Sequence, residues 1–125
     1  MKFTLNPKST FGLDVNIPVP GNADPAVLGF TFRHRKSSEM VKAERELAEL
    51  ISAQPEGELD DEAVREAQAK HIMFIAEDWA LSRIKGEPVP FTLENVVTLL
   101  DNYTTAFSAI KSAYALEMNG IRTKN

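Results

Sequence analysis

The sequence predicts an α+β fold, mostly helical, with a small N-terminal β-hairpin packed on about three helices. Three observations point there. Short alternating apolar runs punctuated by proline and glycine fill the first third of the chain; helix formers take over near residue 37; and an apolar spacing of three and four residues then runs almost to the end. A chain of 125 residues, 43% of them apolar, is the size of one domain and can bury roughly two thirds of the surface its unfolded form exposes. It has no cysteine, so this core must form without disulfides, which suits a reducing compartment. Residues 1–125 are therefore expected to form a single domain, with a β-rich part at 1–36, a helical part at 37–119 and a flexible tail at 120–125.

The strands come first. Val15-Asn16-Ile17-Pro18-Val19-Pro20 alternates with period two, and its two prolines cannot donate to a ladder, so it can only be an edge strand. Gly21 to Pro25 is a turn by composition. Val27 to Arg35 follows as the second strand, with Leu28, Phe30 and Phe32 on one face. A third strand is expected from Phe3 to Leu5.

Ser37 and Ser38 are good N-cap residues for a first helix, about Glu39 to Ser52, whose stripe is Met40, Ala43, Leu47, Leu50 and Ile51. Gln54-Pro55-Glu56-Gly57 ends it. A second helix opens at Asp60-Asp61-Glu62, where acids favour the positive end of the helix dipole, and runs to about Lys85. Its stripe is Val64, Ala67, Ile72, Ile75 and Trp79. A third starts at Thr92 and stops at Gly120, with Leu93, Val96, Leu100, Tyr103, Phe107, Ile110 and Tyr114 spaced 3, 4, 3, 4, 3, 4. Asp101-Asn102 and Thr104-Thr105 are poor helix formers and allow a break near Asn102. This seam either fills a core against the other helices or leaves an apolar stripe for a partner. Trp79, the only tryptophan, faces the same choice between core anchor and contact residue.

No catalytic or cofactor signature is present. The two histidines, His34 and His71, have no paired metal spacing; the glycines are scattered and cradle no phosphate; there is no nucleophile elbow. The expectation is a protein that is not an enzyme and needs no metal or cofactor. A net charge of −4 argues against general nucleic-acid binding, and no apolar run approaches the roughly 20 residues a membrane span needs. Charge is uneven: Arg33-His34-Arg35-Lys36 is a basic cluster, whereas Glu44 to Glu66 holds nine acids and two bases. Such a two-signed surface suits solubility and partner docking.

The β-like start (VNIPVPG, then VLGFTFRHRK), the Trp-bearing AEDWAL and the closing FTLENVVTLLDNYTTAFSAIKSAYALEMNGIRTKN resemble the tail assembly chaperones of long-tailed bacteriophages. The resemblance covers most of the chain and is one of texture, with no invariant catalytic motif. It implies a non-catalytic protein that coats the tape measure protein and keeps it soluble until the tail tube polymerises. It also implies self-association, residence in the host cell cytoplasm and absence from the mature virion. On that reading Leu93, Val96, Leu100, Tyr103, Phe107, Ile110, Tyr114 and Trp79 are the candidate partner-binding residues. Two other readings stand beside it: a tail completion or connector protein retained in the virion, and a small regulator holding nucleic acid through Arg33, Arg35 and Lys36.

Overall fold

A computed structural model describes residues 2–53, 61–82 and 86–120 of the chain. The element order is β1 (Thr10–Ile17), β2 (Ala26–Arg33), α1 (Ser37–Ser52), α2 (Asp61–Ile75), β3 (Ala76–Trp79), α3 (Leu93–Asn102) and α4 (Ala106–Met118). The α+β class holds. The three strands form one antiparallel sheet in the order β1-β2-β3, and its inner face lies on α2 and α4.

The hairpin pairs Thr10 with Arg33 through to Ile17 with Ala26. That register stacks Phe11, Leu13, Val15 and Ile17 beside Phe32, Phe30, Leu28 and Ala26 on one face, while Gly12, Asp14 and Asn16 face solvent. β1 is an edge strand, yet it ends at Ile17; Pro18 and Pro20 lie in the hairpin loop, where a missing N–H breaks no ladder. The strand therefore starts five residues before the expected Val15 and stops before the prolines.

The third strand is β3, not Phe3 to Leu5. Both of those residues are fully exposed, and residues 2–9 stay outside the sheet. β3 pairs Phe30 with Trp79, Thr31 with Asp78 and Phe32 with Ala76, so Glu77 is an extra residue bulged out of the ladder. The bulge has a purpose in packing. Ala76 and Trp79 are three apart and would fall on opposite faces of a regular strand; skipping Glu77 brings both inward.

The second helix consequently ends at Ile75 rather than near Lys85, and Trp79 stands on a strand. Ile72, Ile75 and Trp79 fit a helical spacing as well as they fit this path, so periodicity alone cannot see the switch. The free edge of β2 decides it by offering backbone partners to residues 76–79. The expected turn at Gln54–Gly57, the helix opening at Asp60 and the tail beyond Gly120 lie outside the described residues.

The long third helix is two. Tyr103 adopts an extended conformation (φ −127°, ψ 99°) between α3 and α4, at the weak stretch around Asn102. Thr92 caps α3 by accepting from the Asn95 N–H at 3.2 Å. Gly120, at φ 72°, closes α4 in the left-handed region, with its N–H on the Glu117 carbonyl. At α1 the serines sit inside the first turn; Lys36 is the N-cap, and its N–H donates to Glu39 Oε1 at 2.9 Å.

One buried cluster draws on every element except α1. Phe32 is its centre, fully buried, with ring centroids of Phe30 and Tyr114 both 5.2 Å away and Phe11 at 5.8 Å. Trp79 sits edge-on to Phe91 at 5.1 Å and donates its indole N–H to the Val89 carbonyl at 2.8 Å. The Tyr114 hydroxyl donates to the Arg33 carbonyl at 2.8 Å and accepts from the Arg35 N–H at 3.3 Å. Burial raises its pKa above the usual 10, so it stays a neutral donor. Truncating Phe32 to Ala is expected to cost about 3 to 5 kcal/mol in urea unfolding. Tyr114→Phe, which removes only the hydroxyl bridge, is expected to cost about 1 to 2 kcal/mol.

Candidate functional site

α1 is the anomaly of the fold. Met40, Ala43, Leu47 and Ile51 are half-buried against α2, Val41 and Leu50 are more than half exposed, and no residue of the helix is buried. An isolated 16-residue helix is marginal in water, so α1 owes its place to a few specific tethers.

The first tether is at its start. Arg35 Nε donates to the Phe74 carbonyl at 2.9 Å, and the guanidinium lies 4.0 Å from the centroid of the Phe74 ring. Phe74 is in the last turn of α2, where carbonyls lack helical partners and the dipole favours a cation; α2 has no base of its own there. Arg35 supplies both and reaches Glu39 at 3.6 Å on the first turn of α1. Arg35 thus bonds, stacks and pairs within the fold.

The second tether is at mid-helix. Lys111 on α4 is ion-paired with Glu44 on α1 and lies 2.7 Å from Nε2 of the buried His71 on α2. An ammonium can only donate, so Nε2 accepts and the imidazole is neutral. Burial lowers the pKa of His71 below 6.5, and the Lys111 charge pushes the same way; Glu44, 3.5 Å away, opposes both.

Between α1 and α2 runs an open cleft of about 490 Å³. Ala43, Leu47 and Leu50 of α1 and Ala67 and Phe74 of α2 make its apolar lining; Glu39, Lys42, Glu46 and Lys70 are its charged rim. His71 closes one side, its ring edge-on to Phe107 at 6.1 Å. Such a trough offers apolar area to a ligand while its rim stays hydrated. Among the described residues there is no cluster of three or more potential metal ligands, and no helix is long and apolar enough to cross a membrane.

The eight candidate contact residues do not gather here. Trp79, Val96, Leu100, Ile110 and Tyr114 are buried in the core, and Leu93, Tyr103 and Phe107 are half-buried against it. Most of the seam on α3 and α4 is thus buried within the chain, while Leu93, Tyr103 and Phe107 keep part of their surface open. The cleft went unpredicted, although the α1 stripe of Met40, Ala43, Leu47, Leu50 and Ile51 was its signal in the sequence.

The fold and cleft define a small α+β domain, mostly helical, with an apolar trough between two helices. The chain belongs to the phage tail assembly chaperones: the model of that family matches residues 1–125, its whole length. No curated protein and no solved structure matches it.

The clasp at His71 makes stability pH-dependent. The folded pKa lies below the unfolded value of 6.5, so the unfolded chain binds the extra proton between the two. This contribution is complete above pH 6.5 and is lost as pH falls towards the lowered value, with a slope of at most about 1.4 kcal/mol per pH unit. Urea midpoints measured between pH 7.5 and 5 should fall with pH, and His71→Gln should flatten that part of the decline.

Proposed function

We propose that the chain binds the tape measure protein through the α1–α2 cleft and keeps it soluble until the tail tube polymerises. It acts in the host cytoplasm and leaves before the virion is complete. The observation that carries this is the open apolar cleft on a helix with no buried residue. Its apolar floor between charged rims is the shape that an amphipathic partner helix fills.

The cleft suits an amphipathic helix. Ala43, Leu47 and Leu50 lie along one side of α1, and Ala67 and Phe74 face them from α2, so a client helix can lay its apolar stripe between two existing helices. Phe107 and the half-open Leu93 and Tyr103 extend the proposed contact surface, while the buried part of the seam holds the platform in shape. A long helical client presents many stripes, and modest contacts repeated along it add through avidity. The net charge of −4 keeps the coated client dispersed.

Leu50 is 55% exposed, so Leu50→Asp should leave the melting temperature nearly unchanged. Co-expressed with the tape measure protein, this variant should hold at least tenfold less client in solution than the wild type. Val27→Asp, at a residue 63% exposed on the hairpin, should have no such effect. Equal client solubility with both variants would overturn the role given to the cleft.

A further inference from the structure

Two features of β1 serve nothing in the fold described so far. Its outer edge is bare: Thr10–Ile17 runs in regular register with no lysine, proline or bulge, the devices that usually keep a sheet edge from taking up another strand. Its middle holds Gly12, a residue that weakens a strand. Gly12 has no positive φ, and a Cβ added there would meet nothing nearer than the Phe30 carbonyl oxygen at 4.0 Å. Neither the backbone nor the present neighbours require a glycine. Just before β1 stand Phe3 and Leu5, 103% and 96% exposed. We propose that residues 2–5 are a strap that closes on the edge of β1 in the same chain, as a fourth antiparallel strand with the Phe3 ring laid over Gly12.

The chain itself sets the register. The His34 N–H donates to the Ser9 carbonyl at 2.9 Å. Hydrogen-bonded pairs alternate along an antiparallel ladder, so Ser9, Phe11 and Leu13 bond to β2, whereas the N–H and C=O of Thr10, Gly12, Asp14 and Asn16 point to the free edge. The backbone bends at residues 5–6 and again at Ser9, and Asn6-Pro7-Lys8-Ser9 places asparagine and proline at the first two positions of a turn. Folding back across those four residues sets Leu5 opposite Thr10, Thr4 opposite Phe11 and Phe3 opposite Gly12. Leu5–Thr10 and Phe3–Gly12 are then the pairs that exchange backbone hydrogen bonds.

Cross-strand partners share a face, so Phe3 and Leu5 come to lie on the outer face of the sheet with Gly12 and Thr10. On that face Gly12 and Gly29 floor an open hollow of about 570 Å³, which Asp14, Thr31 and Asp78 also line. An aromatic ring over a strand glycine fills the space that the missing side chain leaves. Closure takes two apolar side chains out of water and gives the outward backbone groups of β1 partners. The new edge carries Lys2, a charge that discourages a further strand. The strap uses no residue of the α1–α2 cleft, so it stands or falls apart from the reading of that cleft.

Amide exchange resolved by NMR on the full-length chain, without client, tests the strap. Protection factors at Thr10 and Gly12 should exceed those at Asp14 and Asn16, which lie past its reach, at least tenfold. The Gly12 α-protons should be shifted upfield by the Phe3 ring. In the double variant Phe3→Ala, Leu5→Ala, which removes only exposed side chains, Thr10 and Gly12 should exchange as freely as Asp14 and Asn16 and the upfield shift should vanish. Phe11 and Leu13, bonded to β2, should stay protected and show that the sheet is intact. Thr10 and Gly12 exchanging as freely as Asp14 and Asn16 in the wild type would overturn the proposal. So would protection that fades on dilution, since that places the strap of another chain on the edge.

Discussion

The hydrogen bond from Arg35 to the Phe74 carbonyl is the constraint on which the arrangement of layers depends. Residues 33 to 36 carry the chain from the sheet to α1, and Phe74 lies at the passage from α2 to β3, so one side chain joins all four elements. The same guanidinium covers the Phe74 ring and pairs with Glu39. Tyr114 adds α4 to the junction by bridging the backbone of Arg33 and Arg35. Lysine could not replace Arg35 here, because a point ammonium cannot bond a carbonyl, stack on a ring and reach a carboxylate together.

From that junction the division of labour follows. The sheet, α2, α3 and α4 share the buried cluster around Phe32, whereas α1 is held by polar tethers at Arg35 and Lys111 and by a half-buried stripe. Little apolar area secures α1, so its amides should open at lower free energy than those of the core. A lightly held helix beside a firmly packed one is the arrangement on which the proposed docking of a client would draw.

The sequence made the hairpin legible through the alternation at Leu28, Phe30 and Phe32, and the α3–α4 break through Asp101-Asn102 and Thr104-Thr105. It concealed β3, because Ile72, Ile75 and Trp79 satisfy a helix and a bulged strand equally, and only the vacant edge of β2 separates them. The seam from Leu93 to Tyr114, spaced 3, 4, 3, 4, 3, 4, was legible as a packing stripe, but its spacing could not divide core from contact surface. Strong periodicity marks burial, and here the burial is internal. The cleft lies on the weaker α1 pattern, where apolar residues without a complete set of partners leave surface for another molecule. Family texture conveyed the role in tail assembly, but it carried no information about which face performs it.

Amide hydrogen exchange with and without a helical segment of the tape measure protein shows whether the α1–α2 cleft receives the client. Amides of residues 37–52 should exchange fastest among the described helices of the free chain and gain the greatest protection on binding, with smaller gains at residues 67–74. Protection confined to α3 and α4, with α1 exchanging as fast as before, would contradict it.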